Sequence, residues 1–170
     1  MCGALVAALA GIASAGYAGF RVNTSPSMPV GIWRVAPASE PLERGDIVTV
    51  CLPDDDTTRE AVSRGYISAG PCPGGYEPLI KPVAAVADDA VVVSRDGVSV
   101  NREPIPGTKQ LAHDTAGRPL QPADQGWYRV KDDEVWVLSG HDPRSFDSRY
   151  FGPIPVSNVR GIARPVWVFE

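Results

Sequence analysis

The sequence predicts a mainly β domain of several antiparallel strands that follows one N-terminal transmembrane helix. Short runs rich in β-branched and aromatic residues recur along the chain, and turn signals such as ERG, RDG, KDD and SGHDP separate them. The first twenty residues, by contrast, are almost wholly apolar. With 170 residues, 44% of them hydrophobic, the chain has the size and composition of a single globular domain.

The N-terminal segment reads MCGALVAALAGIASAGYAGF and carries one plainly polar side chain, Ser14. About twenty helical residues span the roughly 30 Å hydrocarbon core of a bilayer, so residues 1–21 are predicted to form an anchor and residues 22–170 the domain behind it. A cleaved signal peptide and a buried core helix are the alternatives. No Lys or Arg precedes the segment and Arg21 follows it, so charge alone does not indicate which side the domain occupies.

The domain is predicted to contain seven strands, one helix and one long irregular stretch. The hairpin prediction is the strongest, because Asp96-Gly97 suits a tight turn between two valine-rich runs. A short helix is predicted over 55–67, ending near Gly65. Residues 102–125 show little periodicity and are predicted to form a loop-rich insertion. The predicted strands are 31–35, 46–50, 79–86, 90–94, 98–101, 126–130 and 134–139.

Charge and cysteine content exclude several classes of function. The net charge of −4 and the lack of a basic patch argue against a nucleic-acid partner. Cys51 and Cys72 bracket a polar stretch, and two cysteines lack the four-ligand pattern of structural zinc, so we expect neither metal nor cofactor. The two cysteines either form a disulfide or remain as two unpaired thiols. A disulfide favours a compartment outside the cytoplasm.

The segment SPSMP holds Ser27 between two prolines, which makes this stretch stiff and non-helical. A serine hydroxyl becomes a useful nucleophile only when a neighbouring group takes its proton. Lys81 interrupts an apolar run and is therefore a candidate base, because burial lowers the pKa of an ammonium group. The alternative is a lysine at the strand edge whose stem packs while its ammonium group reaches water. His141, next to Asp142 after a predicted strand, is a second candidate.

Three segments in this order resemble the sequence boxes of type I signal peptidases. They are SPSMPVG at 25–31, LIKPVAAVADDAVVV at 79–93 and SFDSRYFGPI at 145–154. Within that family, RGYI, CPGGY, DGVSVN and AGRPL extend the similarity to the branch of conjugative-transfer peptidases called TraF. The resemblance implies a barrel-like antiparallel catalytic domain. Signal peptidases usually carry a basic residue after the lysine, whereas this chain has Pro82, whose missing N–H predicts an edge strand.

Carried over position by position, the resemblance implies a Ser–Lys dyad and a supporting set of residues. Ser27 is the implied nucleophile, Lys81 the general base, and the Ser27 N–H one donor to the oxyanion. The implied supporting residues are Ser25 as the second oxyanion donor, Ser145 as a hydrogen-bond partner that orients the lysine, Asp147 and Arg149 as a bracing ion pair, and Met28 and Pro29 as substrate contacts.

The function that the resemblance implies is a membrane-bound serine endopeptidase on the periplasmic face of a bacterial inner membrane. Its expected substrate is a pilin or another exported precursor of a conjugative or type IV secretion system. Its other expected partners are the lipid bilayer, through residues 1–20, and components of that secretion system. Two alternatives stay open: a general type I signal peptidase, and a non-catalytic membrane-tethered module of pilus assembly.

Overall fold

The structure is a computed structural model that describes residues 18–38 and 41–169. Its helices are α1 (Asp56–Ser63) and α2 (Ser148–Phe151), and a short 3₁₀ turn covers Val156–Asn158. The strands are β1 (Phe20–Asn23), β2 (Gly31–Ala36), β3 (Ile47–Val50), β4 (Leu79–Ala85), β5 (Ala90–Ser94), β6 (Gly97–Val100), β7 (Glu103–Pro104), β8 (Gly126–Arg129), β9 (Glu134–Val137), β10 (Ile154–Pro155) and β11 (Val159–Val168).

Two antiparallel sheets make up the described chain, so the mainly β prediction is confirmed. The larger sheet has seven strands in the order β1-β2-β11-β3-β4-β9-β10, and the smaller has four in the order β7-β6-β5-β8. All seven predicted strands are present, and the hairpin pairs Ser94 with Gly97 as its turn chemistry predicts. The sequence reading missed β1, β7, β10 and β11.

The proposed membrane anchor is only partly within the described residues. Residues 1–17 lie outside them, while Phe20 and Arg21, the end of the proposed anchor, belong to β1 and pair with β2. Within residues 18–38 and 41–169, neither α1 nor α2 has the length and hydropathy that a bilayer-spanning helix requires.

Strand β4 occupies the interior of the large sheet, between β3 and β9, so the prediction that Pro82 marks an edge strand is wrong. Pro82 accepts a hydrogen bond from the N–H of Leu138, the residue directly after β9. The missing proline N–H therefore falls where the β4–β9 pairing ends, and the neighbouring Val83 N–H bonds Asp46 instead. A central strand tolerates this proline because the hydrogen-bonded pairing of β4 with β9 ends at this position.

The core that supports the large sheet includes the Cys51–Cys72 disulfide. The bond links the residue after β3 to a loop beyond α1, so the unpaired-thiol alternative is wrong. Val48, Val50 and Val137 are fully buried around it, and Tyr76 packs there with its hydroxyl donating to the Leu52 carbonyl oxygen. This core holds β3 and β4 rigidly beneath the predicted dyad.

Candidate active site

Ser27 lies in the loop between β1 and β2, and the side chain of Asn23 holds that loop in shape. The Asn23 amide nitrogen lies 3.0, 3.1 and 3.0 Å from the carbonyl oxygens of Ser25, Met28 and Pro29. Its carbonyl oxygen accepts the Ser25 N–H at 3.2 Å. With φ also fixed by the flanking prolines, the backbone around Ser27 has little freedom to move. The loop thus presents the Ser27 hydroxyl in one orientation.

Lys81 approaches Ser27 from β4. Its side chain is only 2% exposed, on the buried face of the strand with Val83 and Ala85. The Lys81 Nζ donates to Ser27 Oγ at 2.6 Å, although the two residues are 54 positions apart. The other hydrogen-bond partner described for that Oγ is Ser25, not a histidine. The structure therefore brings together the two residues that the sequence singled out.

Burial lowers the pKa of Lys81 from its ordinary 10.5 to about 8. Desolvation of the ammonium is the main cause, the nearby Asp147 carboxylate opposes it, and the Arg149 guanidinium adds to the lowering. At mildly alkaline pH a large share of the amine is consequently neutral. A neutral amine accepts a proton, so the same contact then runs from Ser27 O–H to Nζ.

Ser25 lies beside the nucleophile. The two serine Oγ atoms are 3.0 Å apart, and the Ser27 N–H points at Ser25 Oγ over 3.4 Å. Both candidate donors thus lie next to the nucleophile, but here the Ser27 N–H donates to Ser25 Oγ, whereas an oxyanion hole needs the two donors to point at one shared position. The oxyanion role of Ser25 stays a prediction.

Ser145 lines the same cavity, but the predicted hydrogen bond to Lys81 is not formed. Its Oγ is buried and has no hydrogen-bond partner in the described part of the chain, while the lysine amine donates to Ser27. Catalytic hydrogen bonds often tighten only when substrate is bound. An orienting role for Ser145 therefore stays a prediction for the substrate complex.

Asp147 and Arg149 form a buried, two-pronged ion pair. Both side chains are fully buried, and Nε and Nη2 of Arg149 each lie 2.8 Å from one carboxylate oxygen. Asp147 also caps α2 by accepting the Arg149 N–H. Neither side chain hydrogen-bonds Ser27 or Lys81, so their direct effect on the dyad is the electrostatic one on the Lys81 pKa.

Ser139, which the sequence reading missed, links that ion pair to the nucleophile. Its N–H donates to Asp147 Oδ2 at 3.1 Å and its carbonyl accepts from Arg149 Nη2 at 2.6 Å. The Ser139 hydroxyl donates to the carbonyl oxygen of Ser27. Ser139 is 1% exposed and follows β9 after one residue. Its signal in the sequence was a hydroxyl at the end of an apolar strand, which alone did not indicate its partner.

The dyad opens into a cavity of about 540 Å³. Ser25, Ser27, Lys81 and Ser145 line it, together with apolar side chains from the insertion and from the segment before α2. Met28 and Pro29 do not line this cavity. Met28 is buried against Trp33, so the predicted substrate contacts of these two residues stay predictions.

Nothing in the described ranges is arranged as a metal site. No group of three or more His, Cys, Asp or Glu side chains lies close enough together in residues 18–38 and 41–169 to hold an ion.

Comparison with known proteins connects this geometry to a family. Residues 1–168 match the model of the family described as signal peptidase, peptidase S26. The probable conjugal transfer protein TraF of Sinorhizobium fredii is 43% identical over 168 residues, covering 96% of this chain and 85% of that protein. The plasmid transfer protein TraF of Escherichia coli is 43% identical over 167 residues, covering 96% and 93%.

A solved structure was also matched. The crystal structure of a signal peptidase I from Enterococcus faecalis aligns with a TM-score of 0.40 and 18% identity, covering 74% of this chain and 97% of that one. The family model spans nearly the whole sequence, and the sequence identity to the TraF relatives is well above the level at which common ancestry is secure. The chain belongs to the S26 family of signal peptidases, which implies a serine peptidase, and TraF proteins are among its relatives.

Proposed function

We propose that this protein is a membrane-bound serine endopeptidase that uses a Ser27–Lys81 dyad to process exported precursors. The observation that carries the proposal is the 2.6 Å contact between Lys81 Nζ and Ser27 Oγ at a buried site where the lysine pKa is about 8. A lysine in water has a pKa of ~10.4 and is charged at neutral pH, so it could not take the serine proton.

The reaction begins when neutral Lys81 takes the Ser27 proton as Oγ attacks the substrate carbonyl carbon. The developing oxyanion accepts hydrogen bonds from the Ser27 N–H and the Ser25 hydroxyl. The Lys81 ammonium then gives its proton to the leaving amine, the C–N bond breaks, and an ester remains on Ser27. Neutral Lys81 then takes a proton from water as the water oxygen attacks the ester carbon, and the Lys81 ammonium gives that proton to Ser27 Oγ as the ester C–O bond breaks, which releases a carboxylic acid and the free enzyme. An amine in place of water would give an amide.

The proposed substrate is a pilin or a related exported precursor of a conjugative transfer system. The relatives are conjugal and plasmid transfer proteins by name, which supports this setting. A general signal peptidase that cuts many exported proteins is the nearest alternative. Processing of one pilin precursor but not of unrelated exported precursors distinguishes the two.

We further propose that the domain works at the outer surface of the inner membrane, anchored through the apolar segment that precedes β1. The apolar sequence of that segment supports an anchor, and the disulfide supports an oxidising compartment. An exposed apolar face on β1 and β11 adds to this argument. Val22 and Trp167 are more than half exposed and flank Ile32 in register. The rings of Trp167 and Phe169 are in tilted contact, with centroids 5.0 Å apart.

The test is cleavage of a pilin precursor encoded with the same transfer system, using the full chain in detergent. We expect Ser27→Ala and Lys81→Ala to abolish cleavage. Matched controls are Ser94→Ala, which removes a hairpin hydroxyl, and Lys131→Ala, which removes an exposed lysine paired with Glu134. Both controls should cleave like the parent chain. Equal processing by all five proteins, or by none, would favour a non-catalytic module of pilus assembly.

A further inference from the structure

We propose that Asn23 is a positioning residue for the peptidase reaction, which holds the backbone of Ser25 so that the Ser25 hydroxyl can serve the oxyanion formed at Ser27. The inference rests on the proposed function and adds a residue outside the dyad. Asn23 is the last residue of β1, is buried, and pairs with Gly31 of β2 across the base of the loop that carries Ser27.

The orientation of the Asn23 amide is fixed by its surroundings. On one side, the Ser25 N–H donates to Oδ1 at 3.2 Å. On the other side, the carbonyl oxygens of Ser25, Met28 and Pro29 lie 3.0, 3.1 and 3.0 Å from Nδ2. Turning the amide over would place its oxygen against three carbonyl oxygens and its N–H groups against another N–H. Only one of the two orientations therefore gives hydrogen bonds.

Ser25 is the residue that Asn23 holds most completely. Both its N–H and its carbonyl oxygen bond the same amide. Met28 and Pro29 are held through their carbonyl oxygens alone, and Pro29 also accepts a hydrogen bond from Trp33 Nε1 at 3.0 Å. Because the backbone of Ser25 is bonded on both sides, its hydroxyl changes direction by rotation about χ1.

The proposed reaction requires this rotation. In the structure, the Ser27 N–H donates to Ser25 Oγ over 3.4 Å, and the two Oγ atoms are 3.0 Å apart. When the substrate carbonyl becomes an oxyanion, the Ser25 O–H and the Ser27 N–H must both donate to it. Rotation of one side chain on a fixed backbone brings this about. Without Asn23, the backbone of Ser25 would have to be ordered again in each turnover.

The nucleophile and the base are held by other groups. In the described part of the chain, the side chain of Asn23 hydrogen-bonds Ser25 and the two residues after Ser27, but neither Ser27 nor Lys81. The Ser27 carbonyl oxygen accepts the hydroxyl of Ser139, and Lys81 comes from β4. Replacing Asn23 should therefore displace the hydroxyl donor while the dyad and the burial of its lysine are kept.

The experiment follows cleavage of the pilin precursor by the full chain in detergent. Asn23→Ala should lower kcat by at least about tenfold and change KM by less than about threefold, since a misplacement of about 1 Å costs up to ~100-fold. The isosteric Asn23→Asp leaves no cavity but puts a negative charge against three carbonyl oxygens, so it should lose at least as much. The matched control Asn158→Ala removes an asparagine that donates to the Cys51 carbonyl oxygen and should keep kcat.

Two further measurements separate positioning from a general loosening of the fold. In a Ser25→Ala background, which lacks the hydroxyl to be positioned, Asn23→Ala should lower kcat by less than about threefold. In Asn23→Ala alone, the apparent pKa of kcat/KM should stay at about 8, because Lys81 remains buried. A loosened fold would move that apparent pKa towards ~10.4 as water reached the amine.

The proposal is overturned if Asn23→Ala and Asn23→Asp cleave like the parent chain, or if the loss is as large in the Ser25→Ala background as without it. A loss of kcat accompanied by a raised apparent pKa also overturns it. If the parent chain cleaves no precursor, the peptidase proposal fails instead. Hydrogen exchange, measured by mass spectrometry, then still decides whether Asn23 holds the loop: unchanged protection of residues 24–30 in Asn23→Ala would show that it does not.

Discussion

Replacing Lys81 by methionine is expected to make the protein inactive but more stable at neutral pH. Methionine matches the lysine stem in length and carries no charge to bury. Lowering the lysine pKa from 10.5 to about 8 corresponds, at about 1.4 kcal/mol per pKa unit, to about 3 kcal/mol. Below pH 8 that free energy is a penalty on the folded state, which holds a charged amine out of water.

The penalty has a distinctive dependence on pH. Because the pKa is lower in the folded protein than in the unfolded chain, the penalty is full below pH 8 and disappears as pH rises towards 10.5. Lys81→Met lacks this titration. Its gain in the free energy of unfolding over the parent chain should therefore fall by about 3 kcal/mol between pH 7 and pH 10.5. Loss of the hydrogen bond to Ser27 subtracts about 1 kcal/mol from this gain in stability at every pH.

The assay is urea unfolding of the full chain in detergent, followed by the fluorescence of the buried Trp33 and Trp136. The control is Lys131→Met. Lys131 is exposed and paired with Glu134, which raises its pKa, so its removal should bring no gain at neutral pH. A pH-independent difference between Lys81→Met and the parent would refute the reasoning, because it would mean that the folded protein leaves the Lys81 amine solvated.

Three further predictions concern the groups around the dyad. Ser139→Ala removes the donor to the Ser27 carbonyl, so kcat should fall by about 5-fold to about 150-fold, which corresponds to about 1–3 kcal/mol, with KM little changed in steady-state kinetics. Asp147→Ala leaves a buried guanidinium unpaired and should lower the free energy of unfolding by about 3–5 kcal/mol, whereas the exposed pair lost in Asp88→Ala should cost less than about 1 kcal/mol. Replacing Cys51 and Cys72 by serine should destabilise by about 3 kcal/mol in the same unfolding assay; no loss would show that the disulfide contributes nothing.

Local signals in the sequence were sufficient for most of the fold. Valine-rich alternation and an Asp-Gly turn predicted β5 and β6, because a hairpin depends on neighbouring residues. Strand β11 was missed because Gly161 and Pro165 interrupt its alternation. It forms because β2 and β3 pair with it on both sides, with bulges near those two residues, and such long-range pairing leaves no local pattern.

The residues of the candidate site also fall into two groups, those with a local signal in the sequence and those whose role depends on distant partners. Ser27 and Lys81 were identified from unusual local contexts, a serine between prolines and a lysine in an apolar run, together with the family resemblance. Ser139 was missed because its importance lies in a hydrogen bond to a residue 112 positions away. The insertion at 102–125 was predicted as a loop, but its position in space was not, since the hydrogen bond from Tyr66 to Asp114 that holds it spans 48 positions.

The central claim is that a desolvated lysine amine is the base that activates Ser27. Its most direct test is the pH dependence of kcat/KM for precursor cleavage, which reports the pKa of the free enzyme. The account predicts a rise to a plateau with an apparent pKa of about 8, and no such rise in Lys81→Ala. A rise centred at ~10.4, the pKa of a solvated lysine, or full activity in Lys81→Ala would contradict it.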